Sequence, residues 1–256
     1  MLARAGQVPD AIGQFRRAMN LAMEESIASV RTVHQDVHSA MSMDEAITRF
    51  NVSPDDSTLG RANDRILFRL FQTAGRFPEA VSKIEQAIAT ARDPQERAGL
   101  LQEQGEMYQT AGDYAAARRA YEESLKIDDQ NWVAMNNLAY LISEKMGEHA
   151  IALPYAKRAV AIADTPDTLD TLGWITAAAG NYPQAIAELS RAVRLDPAQS
   201  LPMYHLGEVY RRNSQYLEAG DVLARALETA RAQENVGLEK TISTAIEKTQ
   251  RQESAP

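Results

Sequence analysis

An alanine recurs along this chain at an almost fixed interval, at Ala46, Ala80, Ala117, Ala152, Ala185 and Ala219, with spacings of 34, 37, 35, 33 and 34 residues. Four residues after each comes Phe50, Ile84, Tyr121, Ala156, Leu189 and Leu223, and three further on Ser53, Ala87, Ser124, Ala159, Ala192 and Ala226. Twelve or thirteen residues before the alanines lie His34, Phe68, Gly105, Ala139, Gly173 and Gly207. A step of four and then three belongs to one face of a helix. Small residues set against bulky ones let two antiparallel helices approach to about 8–10 Å. Repetition at this period overrides any domain count made from length, because one helical hairpin stacked on itself is the unit.

The joints inside the units recur too. Ala5-Gly6-Gln7-Val8, Ala74-Gly75-Arg76-Phe77, Ala111-Gly112-Asp113-Tyr114 and Ala179-Gly180-Asn181-Tyr182 each read as a helix ending on Gly, a short turn, then a second helix. Glycine takes the left-handed cap and proline, at Pro78 and Pro183, suits a first helical turn.

The pattern resembles the tetratricopeptide repeat family, a 34-residue helix–turn–helix unit. Leu172-Gly173, Tyr182, Ala185, Ala192 and Pro197 carry the best match, followed by Leu206-Gly207, Tyr210, Tyr216, Ala219 and Ala226. The resemblance implies an all-α, right-handed superhelical solenoid of stacked antiparallel helix pairs over residues 1–251. Full repeats are expected at 61–94, 98–131, 132–165, 166–199 and 200–233, after a partial repeat at 1–26 and a degenerate one at 27–60. The degenerate repeat has His34 and Met41 where the family prefers small residues. Repeat 132–165 holds one extra residue between Ala139 and Gly147, expected as a bulge, and three residues around Asp93-Pro94 are expected to lengthen a turn. Leu238, Ile242, Ala245 and Ile246 make one apolar stripe, as a capping helix over 235–251 requires, with 252–256 left as a disordered tail.

Reaction chemistry is hard to find. The chain has no cysteine, no glycine-rich phosphate loop and no GxSxG elbow. His34 and His38 share a helical face without a third ligand at a telling spacing, and His149 stands where other repeats place Tyr or Phe in the turn. Asp55-Asp56, Asp128-Asp129 and the Ser42–Glu45 box read as helix-terminus acids and caps rather than acid–base pairs, and the sequon at Asn51 is a weak three-residue match. The expectation is a non-enzyme without cofactor or metal. A net charge of −8 argues against nucleic acid as partner. No apolar run is long enough for a membrane span, and no secretory signal is present, so the default compartment is cytoplasmic.

In the family the first helix of each pair lines the concave surface. Carried over, the resemblance places Gln102, Glu103, Glu106 and Gln109, then Asn136, Asn137 and Tyr140, then Asp167, Asp170 and Trp174, and finally Tyr204, His205, Glu208, Arg211 and Arg212 in a groove. Tyr140, Trp174 and Tyr204 would form a discontinuous aromatic strip for a protein or peptide segment, with Trp174 either in the groove or across the seam between repeats. A subgroup of the family clamps a peptide carboxylate, but the corresponding places here read Gln102, Glu106, Asn137, Asp167 and Thr171, of which only Asn fits. The acids favour a basic or neutral partner, while Arg211 and Arg212 are free in principle to pin an acidic end. The stretches Asn136–Tyr140 and Thr168–Trp174 are similar to bacterial repeat proteins, including exported ones, which keeps a periplasmic setting open if the chain is truncated at Met1. The expected role is a non-catalytic scaffold; the alternatives are a regulatory segment of a larger enzyme or envelope assembly, and self-association through the N-terminal helix.

Overall fold

The computed structural model describes residues 67–72 and 74–254. The repeats expected at 1–26 and 27–60, the His34/His38 pair, Asp55-Asp56, the Ser42 box, the Asn51 sequon and the N-terminal self-association surface lie outside the described residues. The chain divides into two compact units, Met1–Met107 and Tyr108–Pro256.

In the first unit, helical residues 67–72 lead through a left-handed Gly75 (φ 70°) into α1 (Phe77–Thr90), and α2 (Pro94–Ala111) follows. Leu67, Phe68, Ala80, Ile84, Ala87, Ala98, Leu100, Leu101 and Met107 are buried, which places the repeating columns in the core. The residues around Asp93-Pro94 do not lengthen a turn. Pro94 opens α2, and the Asp93 carboxylate accepts from the Glu96 N–H, so the insertion is absorbed as an additional first turn of an 18-residue helix.

The second unit consists of α3 (Tyr114–Ile127), α4 (Trp132–Met146), α5 (His149–Ile162), α6 (Pro166–Ala178), α7 (Tyr182–Leu195), α8 (Ser200–Arg212), α9 (Tyr216–Ala232) and α10 (Val236–Glu253). Each helix packs on the next; α4 also touches α6, α6 touches α8, and α8 touches α10. Successive second helices of the pairs stand further apart, which puts the first helices on the inner side of the row. A cleft of about 320 Å³ opens between α3 and α5 on the outer side, over Met135 and Leu138 of α4. The fold is all-α, with no strand among the described residues.

Two close approaches hold the hairpins α6–α7 and α8–α9. A Cβ on Gly173 would meet Leu189 Cγ at 2.6 Å, and one on Gly207 would meet Leu223 Cγ at 2.5 Å. Both leucines are fully buried, as are Ala152, Ala185 and Ala219. Between repeats, Asp128 and Asp196 end α3 and α7 and accept from the N–H two residues on, of Gln130 and Ala198. The helix-start role belongs instead to Asn131, whose side chain accepts from Ala134 N–H. The extra residue of repeat 132–165 makes no bulge: α4 runs unbroken for 15 residues, against 13 in α6 and α8, and ends on a left-handed Gly147. His149, expected in the turn, instead opens α5; it is half-buried, and its Nδ1 shares a 2.9 Å hydrogen bond with the Ser143 hydroxyl.

The last two joints lack glycine. Ser214 (φ 60°) and Glu234 (φ 55°) take the left-handed conformation that Gly112, Gly147 and Gly180 supply elsewhere. In α10, Ile242, Ala245 and Thr249 are buried against α9 and α8, and Gln252 and Glu253, expected as tail, continue the helix.

These backbones can be tested at single glycines and at one joint. Gly207→Ala should lower stability by about 1 kcal/mol in urea denaturation, since overpacking at Leu223 outweighs the helix-propensity gain, whereas Gly220→Ala in α9, with open space around its Cβ, should raise it by about 0.5–1 kcal/mol. Ser214→Gly should stabilise the chain by about 1 kcal/mol by the same assay, because a side chain in the left-handed region carries a steric cost that glycine does not.

Candidate interaction face

The inner face of the second unit is built from α4, α6 and α8, whose small and apolar positions are drawn into the hairpin cores and turn the remaining positions outward. Asn136, Asn137 and Tyr140 on α4, Trp174 on α6, and Tyr204 and Arg211 on α8 are all half-buried, so each keeps part of its surface in solvent. Gln102 and Glu106 belong to α2 in the first unit, where the Gln102 amide donates to the Glu106 carboxylate at 3.1 Å. In the same unit Arg69 pairs with Glu103 at 3.2 Å.

Trp174 combines the two placements left open by the sequence. Its ring stacks on His205 with centroids 4.2 Å apart and planes 22° apart, and the Arg212 guanidinium lies 4.7 Å from the ring centroid. His205 and Arg212 are seven residues apart, two turns of α8, and both contact the indole of the preceding repeat. The indole N–H donates to Glu144 Oε1 of α4 at 2.9 Å. One side chain therefore ties three successive first helices together.

Asp170, His205 and Glu208 were expected in the groove, and the structure buries all three. Asp170 and His205 meet across the α6–α8 seam, with both carboxylate oxygens within 3.0 Å of Nδ1. Burial of a carboxylate is costly unless it is hydrogen-bonded, and the imidazole meets that need. Glu208 receives two bonds from the Arg211 guanidinium at 2.8 and 3.0 Å, and Arg211 also donates to Gln252 at the end of α10. The Glu208 hydrogen bond raises the Arg211 pKa, which keeps the guanidinium charged. Burial raises the Tyr204 phenol, with the Glu208 charge adding to it, and the hydroxyl remains protonated at neutral pH. Of the two cations expected to pin an acidic end, Arg211 is thus engaged by Glu208 and Gln252, while Arg212 is exposed and lies over the Trp174 ring. The Asn136 Oδ1 is shielded from solvent with no hydrogen-bond donor.

The sequence reading did not find these seam contacts, yet a signal for them existed. Paired residues lie about one repeat apart: 34 for Arg69 and Glu103, 35 for Asp170 and His205, 30 for Glu144 and Trp174. Complementary side chains at that offset identify the seams. Among the described residues no group of three or more His, Asp or Glu is placed to hold a metal ion, and no helix is long and apolar enough to cross a membrane.

The tetratricopeptide repeat profile matches residues 67–131 and 171–235, half of the chain. The protein belongs to the tetratricopeptide repeat family. Over 138 residues, 54% of its length, it is 25% identical to human (Homo sapiens) tetratricopeptide repeat protein 6, of which the match spans 26%. Among solved structures, BtubC from P. vanneervenii superposes with a TM-score of 0.65 at 22% identity, covering 77% of this chain and 93% of that one. A thermophilic tetratricopeptide repeat protein of Thermus thermophilus gives 0.59 at 20%, covering 73% and 98%. These likenesses establish the solenoid fold, and the family fits a scaffold for protein interactions.

If Trp174 ties the seam as described, Trp174→Ala and His205→Ala should not be additive. Each should destabilise the chain, Trp174→Ala by about 2–3 kcal/mol, with a coupling of about 1 kcal/mol in a double-mutant cycle followed by urea denaturation. Additivity within about 0.3 kcal/mol would show that the stack carries no stability.

Proposed function

We propose that this chain is a non-catalytic scaffold that binds a protein segment along the inner face of α4, α6 and α8. The observation that carries this reading is the set of half-buried aromatic residues, Tyr140, Trp174 and Tyr204, one on each of three successive first helices. Aromatic side chains held rigidly offer large contact area at little entropic cost, which is why they anchor interfaces. Asn136 and Asn137 precede Tyr140 on α4 and are half-buried; with the Asn136 Oδ1 shielded from solvent, that side chain offers a partner its amide donors rather than its acceptor. Trp174 contributes its exposed edge only, because its N–H and its flanks are engaged within the chain. Tyr140 and Tyr204 are therefore the primary anchors.

Peptides selected from a displayed random library on the full chain provide the test. Tyr140→Ala should weaken their binding at least about tenfold in fluorescence anisotropy, with helical circular dichroism unchanged. Leu217→Ala, which trims an exposed side chain on the second helix α9, should leave it intact. Equal affinity for wild type and Tyr140→Ala would place the binding surface elsewhere.

A further inference from the structure

The charges of the inner face are unevenly committed. Each cation on α4 and α8 has a contact within the chain, though only Arg211 makes an ion pair. Arg211 is paired with Glu208, Arg212 lies over Trp174, and Lys145 lies 5.8 Å from the Tyr114 ring centroid. The acids divide differently: Asp170 and Glu208 are buried and paired, while Glu144 and Asp167 are exposed and make no ion pair. Glu144 accepts the Trp174 N–H through Oε1, which leaves Oε2 available to a partner, and Asp167 stands at the first turn of α6. Asp167 and Trp174 are seven residues apart, so the two acids bracket the aromatic strip over a length on the order of 10 Å.

We infer that the partner is a basic segment, with lysine or arginine side chains set beside its apolar anchors so that they reach Glu144 and Asp167 while the anchors meet Tyr140 and Tyr204. This rests on the inner-face reading above. An acidic segment could reach Arg211 only by displacing it from two hydrogen bonds to a buried carboxylate, leaving Glu208 buried and unpaired, which is strongly unfavourable, and would otherwise have to draw on Arg212 and Lys145, which lie against aromatic rings. A basic segment displaces nothing. It also matches the acidic character of the chain as a whole, −8 at neutral pH, which steers cationic segments toward it at low salt.

Three sets of labelled peptides, each about twelve residues long to span the strip, test this with the full chain. All share Leu and Tyr anchors, and the other positions are Lys/Arg, Ser/Gln or Asp/Glu. The basic set should bind at least about tenfold more tightly than the acidic set, and Glu144→Gln with Asp167→Asn should weaken the basic set about fivefold, in line with two exposed ion pairs. Removing the same charge from exposed positions of second helices, by Glu123→Gln in α3 with Glu228→Gln in α9, should leave the preference in place, which separates local recognition from net charge. A preference for the acidic or neutral set, or equal loss in both double variants, overturns the basic-partner inference and leaves the scaffold reading standing. Absence of binding by all three sets overturns the inner-face reading and this inference with it.

Discussion

The contact on which the rest depends is the approach of a first helix to its own second helix at a residue with little or no side chain. At Gly173 and Gly207 the leucine of the facing helix occupies the volume that a Cβ would need. The hairpin of α4 and α5 fills this place differently. Ala139 stands in the place of the glycine, and Ala156 in the place of the leucine, and both are fully buried. What is kept is a small residue on the first helix; the facing side chain shrinks from leucine to alanine, so two methyl groups fill this contact where four side-chain carbons fill the other two. The alanine column of the second helices recurs unchanged, while the position facing it in α4, α6 and α8 is held only to Gly or Ala.

Stacking of one hairpin on the next draws on a second kind of contact. Arg118 with Glu148, Arg158 with Asp129 and Arg191 with Asp164 cross from a second helix to a neighbouring repeat, and Gln233 reaches the Ala198 carbonyl and the Ser200 hydroxyl. These pairs are exposed or half-exposed, and each contributes little alone. The Asp170–His205 pair differs because it is buried and lies against the Trp174 stack. Nearest-neighbour terms of this kind decide how firmly an array holds its curvature.

The sequence exposed the hairpins and their buried columns because both follow from local spacing. Gly112, Gly147 and Gly180 mark their turns since glycine enters the left-handed region without a steric cost. Ser214 and Glu234 do the same job against their own preference, and only neighbouring helices explain why they are held there. The inserted residues were legible as insertions but not in their outcome: a helix that meets no proline or packing clash simply lengthens, as α2 and α4 do, before it bulges. The face was legible as positions and less so as chemistry. Asp170, Glu208 and Arg211 sit where the repeat period puts them, but their partners are a repeat or a helical turn away, and single-position reasoning treats such groups as free.

Internal engagement of the inner face changes what it can recognise. Groups already bound to one another are held in place before a partner arrives, so fewer side chains lose freedom on association. The same engagement removes them from direct recognition, because breaking a buried charged pair costs more than an exposed contact returns. Selectivity then falls to the few groups left uncommitted on a rigid frame. On the inner-face reading proposed above, those are the exposed parts of two tyrosines, the edge of one tryptophan and two exposed carboxylates, a set suited to aromatic contact and positive charge.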